Sequence, residues 1–391
     1  MNQVQANVKD KPRILFLMDE PSVKDGGGAE TFVFTLAKYL VSQGHSIMIF
    51  APREHSFHNE FHEKEGYKIY YIGIPFIKEN WLFALTYNLK LGCALFRDSN
   101  RYDIIHMHGI RGLTTLCILT KLIGKKLILT VINQLHCKLI FTTEQNHVLR
   151  LCSNKITNSI DAYMAVNRNI EKILLDHNIP KNKIFYVPNG LNVRAQTNDR
   201  AAARATVNVS ALTPLVLFVG RFHWQKNIPF LLHSWRMLAR RMPSARLLLL
   251  GDGPMRCEIM TLVSKYNLDH SVECRGFVDN LIPYWLSADV FVLPSQIEGC
   301  PMALLEAMSF RMACIATDSP GNDEIIKHHI NGILVPFGNA EQLADDLYIL
   351  LNDKKLRDRL GSTACDTIKK YFLIENIAAQ HMNRYRQVIS S

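Results

Sequence analysis

The stretch Glu298-Gly299-Cys300-Pro301-Met302-Ala303-Leu304-Leu305-Glu306 sets two carboxylates around a glycine-proline turn and the start of an apolar helical run. Gly299 permits a tight turn, and Pro301 suits the first position of a helix, where its missing N–H costs nothing. The run it opens is apolar except for Glu306, and an unpaired carboxylate among Ala, Leu and Met is expensive to bury. Met302 and Glu306 lie one helical turn apart, so Glu306 faces the helix N-terminus along the same side. Free N–H groups and the positive dipole end make that terminus a site for an anion. An anion site with Glu306 one turn below and Glu298 beside it fits a sugar nucleotide. The alternative is that Glu306 pairs with a nearby Arg or Lys and Glu298 is solvated.

Cations stand where such a ligand needs them. Gly220-Arg221, with Lys226 following, ends an apolar run, and a group transfer that expels a diphosphate is accelerated by fixed cations awaiting the developing charge. Arg contributes a planar fork and Lys a point charge; as isolated residues both could equally be surface side chains. Gly251-Asp252-Gly253-Pro254 and Arg275-Gly276-Phe277-Val278 end further apolar runs, and Asn189-Gly190 and Ser319-Pro320-Gly321 read as supporting turns. Gly26-Gly27-Gly28 lies between the first apolar run and its helix, leaving backbone N–H groups free to approach a ligand. A dinucleotide dehydrogenase fits poorly, since the spacing is not Gly-x-Gly-x-x-Gly and the second strand ends in Ala51-Pro52-Arg53 with no acidic residue. His106-Met107-His108-Gly109 ends a buried strand, with both imidazoles on one side; a lone histidine at a strand end is more often a satisfied core residue than a catalyst, and two beside a glycine shift that balance.

Two Glu with seven residues between them, Gly-x-Pro after the first and Leu-Leu before the second, resemble the signature of retaining GT-B glycosyltransferases. More narrowly, the pattern is similar to the large family 4 type that includes bacterial lipopolysaccharide, capsule and phospholipid mannosyl- or glucosyltransferases. The resemblance runs through the whole chain and is strongest from Val219 to Glu324. It implies two Rossmann-like domains facing across a cleft, with a terminal helix crossing back to the N-terminal one. It implies transfer of a hexose-type sugar from a UDP- or GDP-sugar to a glycan or lipid-linked acceptor, with retained configuration, in polysaccharide or lipopolysaccharide synthesis. Under it His108 hydrogen-bonds the transferred sugar, Glu298 orients sugar hydroxyls, Glu306 holds the ribose, and Arg221 and Lys226 stabilise the diphosphate. Gly27 and Gly28 touch the phosphates or acceptor, Gly253 gives a tight approach at a strand tip, and the segment of Phe277 lies against the base. Gly220, Gly299, Cys300, Pro301, Met302 and Leu305 complete the nucleotide-sugar site. Asn227 stands where the family usually has Gly, and Asn192 where it often has Asp. No Asp-x-Asp occurs, so no metal and no separate cofactor are expected. A sugar-nucleotide epimerase of the same architecture and a non-catalytic nucleotide- or glycan-binding protein are the rival readings.

The elements that must position these residues follow from length and pattern. A chain of 391 residues holds two domains, and 48% hydrophobic with 20% charged residues is globular composition. Short apolar runs alternate with helical patterns, first from Ile14 to Val166 and again from Leu215 to Ala316, which argues for two parallel sheets. The boundaries are 1–193 for an N-terminal acceptor domain, 194–213 for a polar, Ala-rich connection, 214–371 for a nucleotide-sugar domain, and 372–391 for the returning helix. A net charge of +10 favours acidic partners; nucleic acid is disfavoured, because no helix-turn-helix, zinc knuckle or aromatic-basic interleaving occurs. Nine scattered cysteines, a polar N-terminus and no long apolar run suit a cytoplasmic chain that does not span a membrane. The apolar stretch Phe76 to Arg97 reads first as an ordinary buried helix. A sharper reading makes it an interfacial helix on an anionic membrane, with Lys121, Lys125 and Lys126 adding to its face.

Overall fold

The computed structural model describes residues 11–19, 27–54, 58–74, 81–109, 113–141, 156–193 and 199–391. Gly26, the 76–80 end of the apolar stretch and the 194–198 part of the connection lie outside these. The chain divides into two compact units, Met1–Gly190 with Ile374–Ser391, and Leu191–Leu373.

In the first unit, β1 (Ile14–Met18), β2 (Ile47–Glu54), β3 (Glu60–Lys64), β4 (Tyr67–Ile74), β5 (Ile104–His108), β6 (Lys126–Val131), β7 (Ala162–Ala165) and β8 (Ile184–Tyr186) form one sheet, in the order β3-β4-β2-β1-β5-β6-β7-β8. Ile-Leu-Phe-Leu-Met in β1 is wholly buried because parallel strands are covered on both faces. The sheet is not all parallel, as expected from the alternation: β3 pairs antiparallel with β4. The turn residues Glu65 and Gly66 have φ of 50° and 84°, the left-handed pair that a two-residue hairpin needs. The helix Gly28–Ser42 buries Phe32, Val33, Leu36, Ala37 and Leu40. The C-terminal helix Ile374–Ser390 belongs to this unit and packs on it.

In the second unit, β9 (Leu215–Val219), β10 (Arg246–Leu250), β11 (Val272–Gly276), β12 (Val290–Leu293), β13 (Ala313–Asp318) and β14 (Ile333–Pro336) are all parallel, in the order β11-β10-β9-β12-β13-β14. Strand succession reverses between β9 and β12. In open parallel sheets, the crevice beyond the C-terminal strand ends at such a reversal is where ligands bind. Residues 199–213 do not act as a bare connection: Arg200–Thr206 is a helix of this unit, packed on the helix Ile282–Ser287. Among the described residues no helix is long and apolar enough to cross a membrane.

Candidate active site

At the β9–β12 reversal the structure brings Lys226 and Glu298 together, 72 residues apart in sequence. Lys226 Nζ donates to Glu298 Oε1 at 2.5 Å, with 23% and 9% of the two side chains exposed. The backbone fixes both loops: Gln296 N donates to the Gln225 carbonyl at 2.8 Å. Asn227, just after the lysine, has φ of 49°. That conformation explains the departure from the family's glycine, because Asn is among the few side-chain-bearing residues that enter the left-handed region readily. Gly220 and the exposed Arg221 follow β9 directly.

The neighbouring strand ends are zipped to this loop. Gly220 N donates to Leu250 O at 3.0 Å, Gly251 N to Gly276 O at 2.7 Å and Phe222 N to Asp252 O at 2.8 Å. Gly251, at φ 139°, lies so close under Gly220 that a Cβ would overlap the Gly220 carbonyl oxygen. Gly253 is set against the Phe222 backbone in the same way, so its lack of a side chain serves close packing of the loops. Phe277 follows β11 and is 38% exposed.

The helix Met302–Ser309 starts behind Glu298 and Gly299. Pro301 is its N-cap, at φ −71° and ψ 114°, and not its first helical residue as the sequence suggests. Cys300, Met302 and Leu305 are buried, and Glu306 is half-buried on the helix's one polar position before Ser309. The loop after β13 clamps the turn from below. Thr317 Oγ1 donates to the Ser295 carbonyl, as does Ser319 Oγ at 3.2 Å, and Asn322 Nδ2 donates to Thr317 O at 3.1 Å. Gly321, at φ 93°, puts its open side 2.5 Å from Gly299 O and 2.9 Å from Glu298 O, space that no side chain could share. Sequence reasoning missed Ser295, Thr317 and Asn322. The available signal was a row of small polar residues on two adjacent strand ends.

The other expected residues lie in the first unit. Gly27, at φ 116°, is the N-cap of the helix Gly28–Ser42, and Gly28 is its first residue. His108 ends β5 and is 2% exposed, with Phe16, Phe32 and His106 at ring-centroid distances of 5.6, 6.2 and 4.2 Å. His106 Nδ1 lies 2.7 Å from the Tyr385 hydroxyl and its Nε2 2.7 Å from the Thr130 hydroxyl. Tyr385 and His381 come from the C-terminal helix, so a histidine cluster is built by two segments distant in sequence. Burial, then the neighbouring imidazoles, holds His106 well below its ordinary range. Burial takes His108 and His381 down to about 3. All three are neutral imidazoles at neutral pH.

Two units built on largely parallel sheets, the second in the Rossmann strand order with glycines and cations at its strand ends, define the GT-B fold. Sequence models of two families match, glycosyl transferases group 1 over residues 199–366 and glycosyltransferase family 4 over residues 26–195. The chain belongs to these group 1, family 4-type glycosyltransferases. It is similar to the N-acetyl-alpha-D-glucosaminyl L-malate synthase of Bacillus anthracis, 24% identical over 385 residues, covering 94% of this chain and 95% of that one. It is 26% identical over 239 residues to the N,N'-diacetylbacillosaminyl-diphospho-undecaprenol alpha-1,3-N-acetylgalactosaminyltransferase of Campylobacter jejuni, covering 59% of this chain and 61% of that one. The Anabaena HepE structure, solved in complex with UDP and glucose, superposes with a TM-score of 0.77 at 16% identity, over 96% of this chain and 100% of that one.

Proposed function

We propose that this glycosyltransferase moves a hexose-type sugar from a UDP- or GDP-sugar to a glycan or lipid-linked acceptor, with retention and without a metal ion. The observation that carries the reading is the Lys226–Glu298 pair at the β9–β12 reversal, beside the N-terminus of the helix Met302–Ser309. The carboxylate holds the ammonium at the strand edge, where a diphosphate binds in a sheet of this order. In the reaction the bond from the anomeric carbon to the diphosphate oxygen breaks, and the acceptor oxygen bonds to that carbon on the same face. The acceptor's proton passes to the departing phosphate oxygen. Arg221 and Lys226 take up the charge that develops on the leaving group, which needs no carboxylate-bound cation. Glu298 meets sugar hydroxyls, and Glu306, one turn down, takes the ribose. The names of the relatives support the donor and acceptor classes: HepE was solved with UDP, and the Campylobacter enzyme is named for a diphospho-undecaprenol substrate.

The test is nucleotide release from a panel of UDP- and GDP-sugars, with and without EDTA. Lys226→Ala is expected to lower kcat roughly 10²–10³-fold, the usual result of removing one fixed donor to developing charge, measured on protein shown by circular dichroism to be folded, because the exchange also takes the Lys226 partner from the buried Glu298 carboxylate. Wild-type turnover in that variant would overturn the assignment, and loss of activity in EDTA would overturn metal independence.

A further inference from the structure

The helix Trp81–Arg97 and its neighbour Leu113–Leu122 carry an arrangement that burial in the first unit does not account for. Tyr87, Leu91, Ala94 and Leu95 form the inner row of the first helix and are between 0% and 4% exposed. The row that faces away from them is apolar too: Leu85, Leu89 and Phe96 are 50%, 63% and 70% exposed. A helix on the surface of a globular protein normally turns a polar stripe outward. The two helices lie side by side, close enough that a Cβ on Gly92 would sit 3.2 Å from Leu119. The second helix extends the surface with Ile118 and Leu122, 59% and 76% exposed. Contiguous exposed apolar surface of this kind marks a docking site.

Charge indicates the partner. The sequence contains no Asp or Glu from Asn80 to Arg97, and none between Asp103 and Glu144. Lys121 stands exposed between Ile118 and Leu122, and Lys125 follows three residues after the helix. Not every cation of the stretch is available. Lys90 Nζ donates to Gly73 O at 2.8 Å, Lys126 sits 3.6 Å from Asp161, and the half-buried Lys125 lies over the Tyr102 ring, 5.7 Å from its centroid, so these three serve the fold instead. We infer that the outward faces of the helices 81–97 and 113–122 dock on an anionic lipid bilayer, Leu85, Leu89, Phe96, Ile118 and Leu122 entering the headgroup–acyl boundary while the exposed Lys121 meets lipid phosphates. An apolar face with an exposed lysine and no carboxylates is the composition of interfacial helices. This surface is read from the first unit alone, and vesicle binding is measured without any sugar nucleotide, so its failure is separable from that of the donor assignment.

The experiment is co-sedimentation of the full chain with phosphatidylglycerol-containing and pure phosphatidylcholine vesicles. Binding is expected to the anionic vesicles, weakened as salt approaches about 1 M, where charges are screened within roughly 3 Å. Leu89→Glu with Phe96→Glu should reduce the partition coefficient at least about tenfold, by removing two inserted side chains, and leave the circular dichroism and melting temperature unchanged, since neither residue is buried. Lys121→Glu is an independent second variant, expected to weaken binding to anionic vesicles by a similar factor. No binding by the wild type, or binding that neither variant alters, would overturn the inference. So would sedimentation showing a dimer that Leu89→Glu with Phe96→Glu dissolves, with vesicles ignored, which would assign the face to a second copy of the chain.

Discussion

At pH 5 the first unit is expected to be less stable than at pH 7.5 by about 4 kcal/mol on account of His108 and His381, with His106 acting in the same direction. His106, His108 and His381 are 0%, 2% and 1% exposed. All three have folded-state values below the ordinary one, through burial, to which neighbouring imidazoles add for His106 and His108. A depressed folded value means that the unfolded chain takes up protons that the folded one refuses. The stability is therefore fully present above about pH 6.5 and is lost as pH falls towards about 3, where His108 and His381 protonate in place. At pH 5 the neutral imidazoles of His108 and His381 each forgo about 2 kcal/mol of protonation free energy, at 1.36 kcal/mol per pH unit below the unfolded value, and His106 adds a loss of the same sign. The Tyr385 and Thr130 hydroxyls and the Phe16 and Phe32 rings pack against the cluster. The measurement is native-state hydrogen exchange of the β1 and β5 amides at the two pH values, because three of the chain's four tryptophans (Trp224, Trp235 and Trp285) lie in the second unit. In His381→Phe the loss between pH 7.5 and 5 should shrink by about 2 kcal/mol. An unchanged loss in that variant would refute the account.

This cluster also shows where sequence reading stops. The strand that carries His106 and His108 was legible, as were β1, β9, β10 and β12, because short apolar runs between glycine-rich turns have few other uses in a parallel sheet. That Tyr385 and His381 would close over them was not, since nothing local links residues 279 positions apart. The strand β3 was missed because Glu-Phe-His-Glu-Lys on a sheet edge is largely exposed and charged, and so lacks apolar alternation. Its one local signal was Gly66 in a two-residue turn. The stretch 81–97 was ambiguous for the opposite reason: both its faces are apolar, so periodicity could not say which one is covered. At the site, Glu298 and Lys226 were each readable from strand-end position and from the family pattern. Their pairing, and the clamp of Thr317, Ser319 and Asn322 beneath them, depend on the order of β9, β12 and β13 in the sheet, which sequence alone does not fix. Asn227 is the converse case, where an odd residue became intelligible once its φ was known.

Asp289→Ala is expected to destabilise the second unit by about 3–5 kcal/mol, the cost of leaving a buried cation without its partner. Asp289 stands just before β12. Its Oδ2 accepts from Leu215 N at 2.8 Å, tying β9 to β12, and from Arg204 Nη2 at 2.9 Å, while Oδ1 accepts from Arg200 Nη2 at 2.6 Å. Arg204 is the vulnerable member, only 3% exposed. Its other N–H groups donate to the carbonyls of Ser287, Ser210, Ala211 and Thr213 at 2.7–3.0 Å. Burial lowers its pKa and Asp289 works against that shift. An arginine does not escape by deprotonating, so without the carboxylate the unit keeps a desolvated charge. Arg357, 3.8 Å from Oδ1, leaves the same corner more positive still. Asp289→Asn keeps one acceptor for Leu215 N or Arg204 and should cost less than Asp289→Ala. Urea unfolding followed by tryptophan fluorescence reads this unit, and a cost of under about 1 kcal/mol for Asp289→Ala would show that the network is not what holds the corner. The chemistry should be spared. Asp289 lies at the N-terminal end of β12, and Glu298 and Gly220 beyond the C-terminal ends of β12 and β9, a strand length of about 15 Å away. At temperatures where the variant remains folded, kcat and KM for the donor should therefore match the wild type, whereas Lys226→Ala, compared while folded, loses turnover. The two substitutions separate the end of the sheet that holds the unit together from the end that does the work.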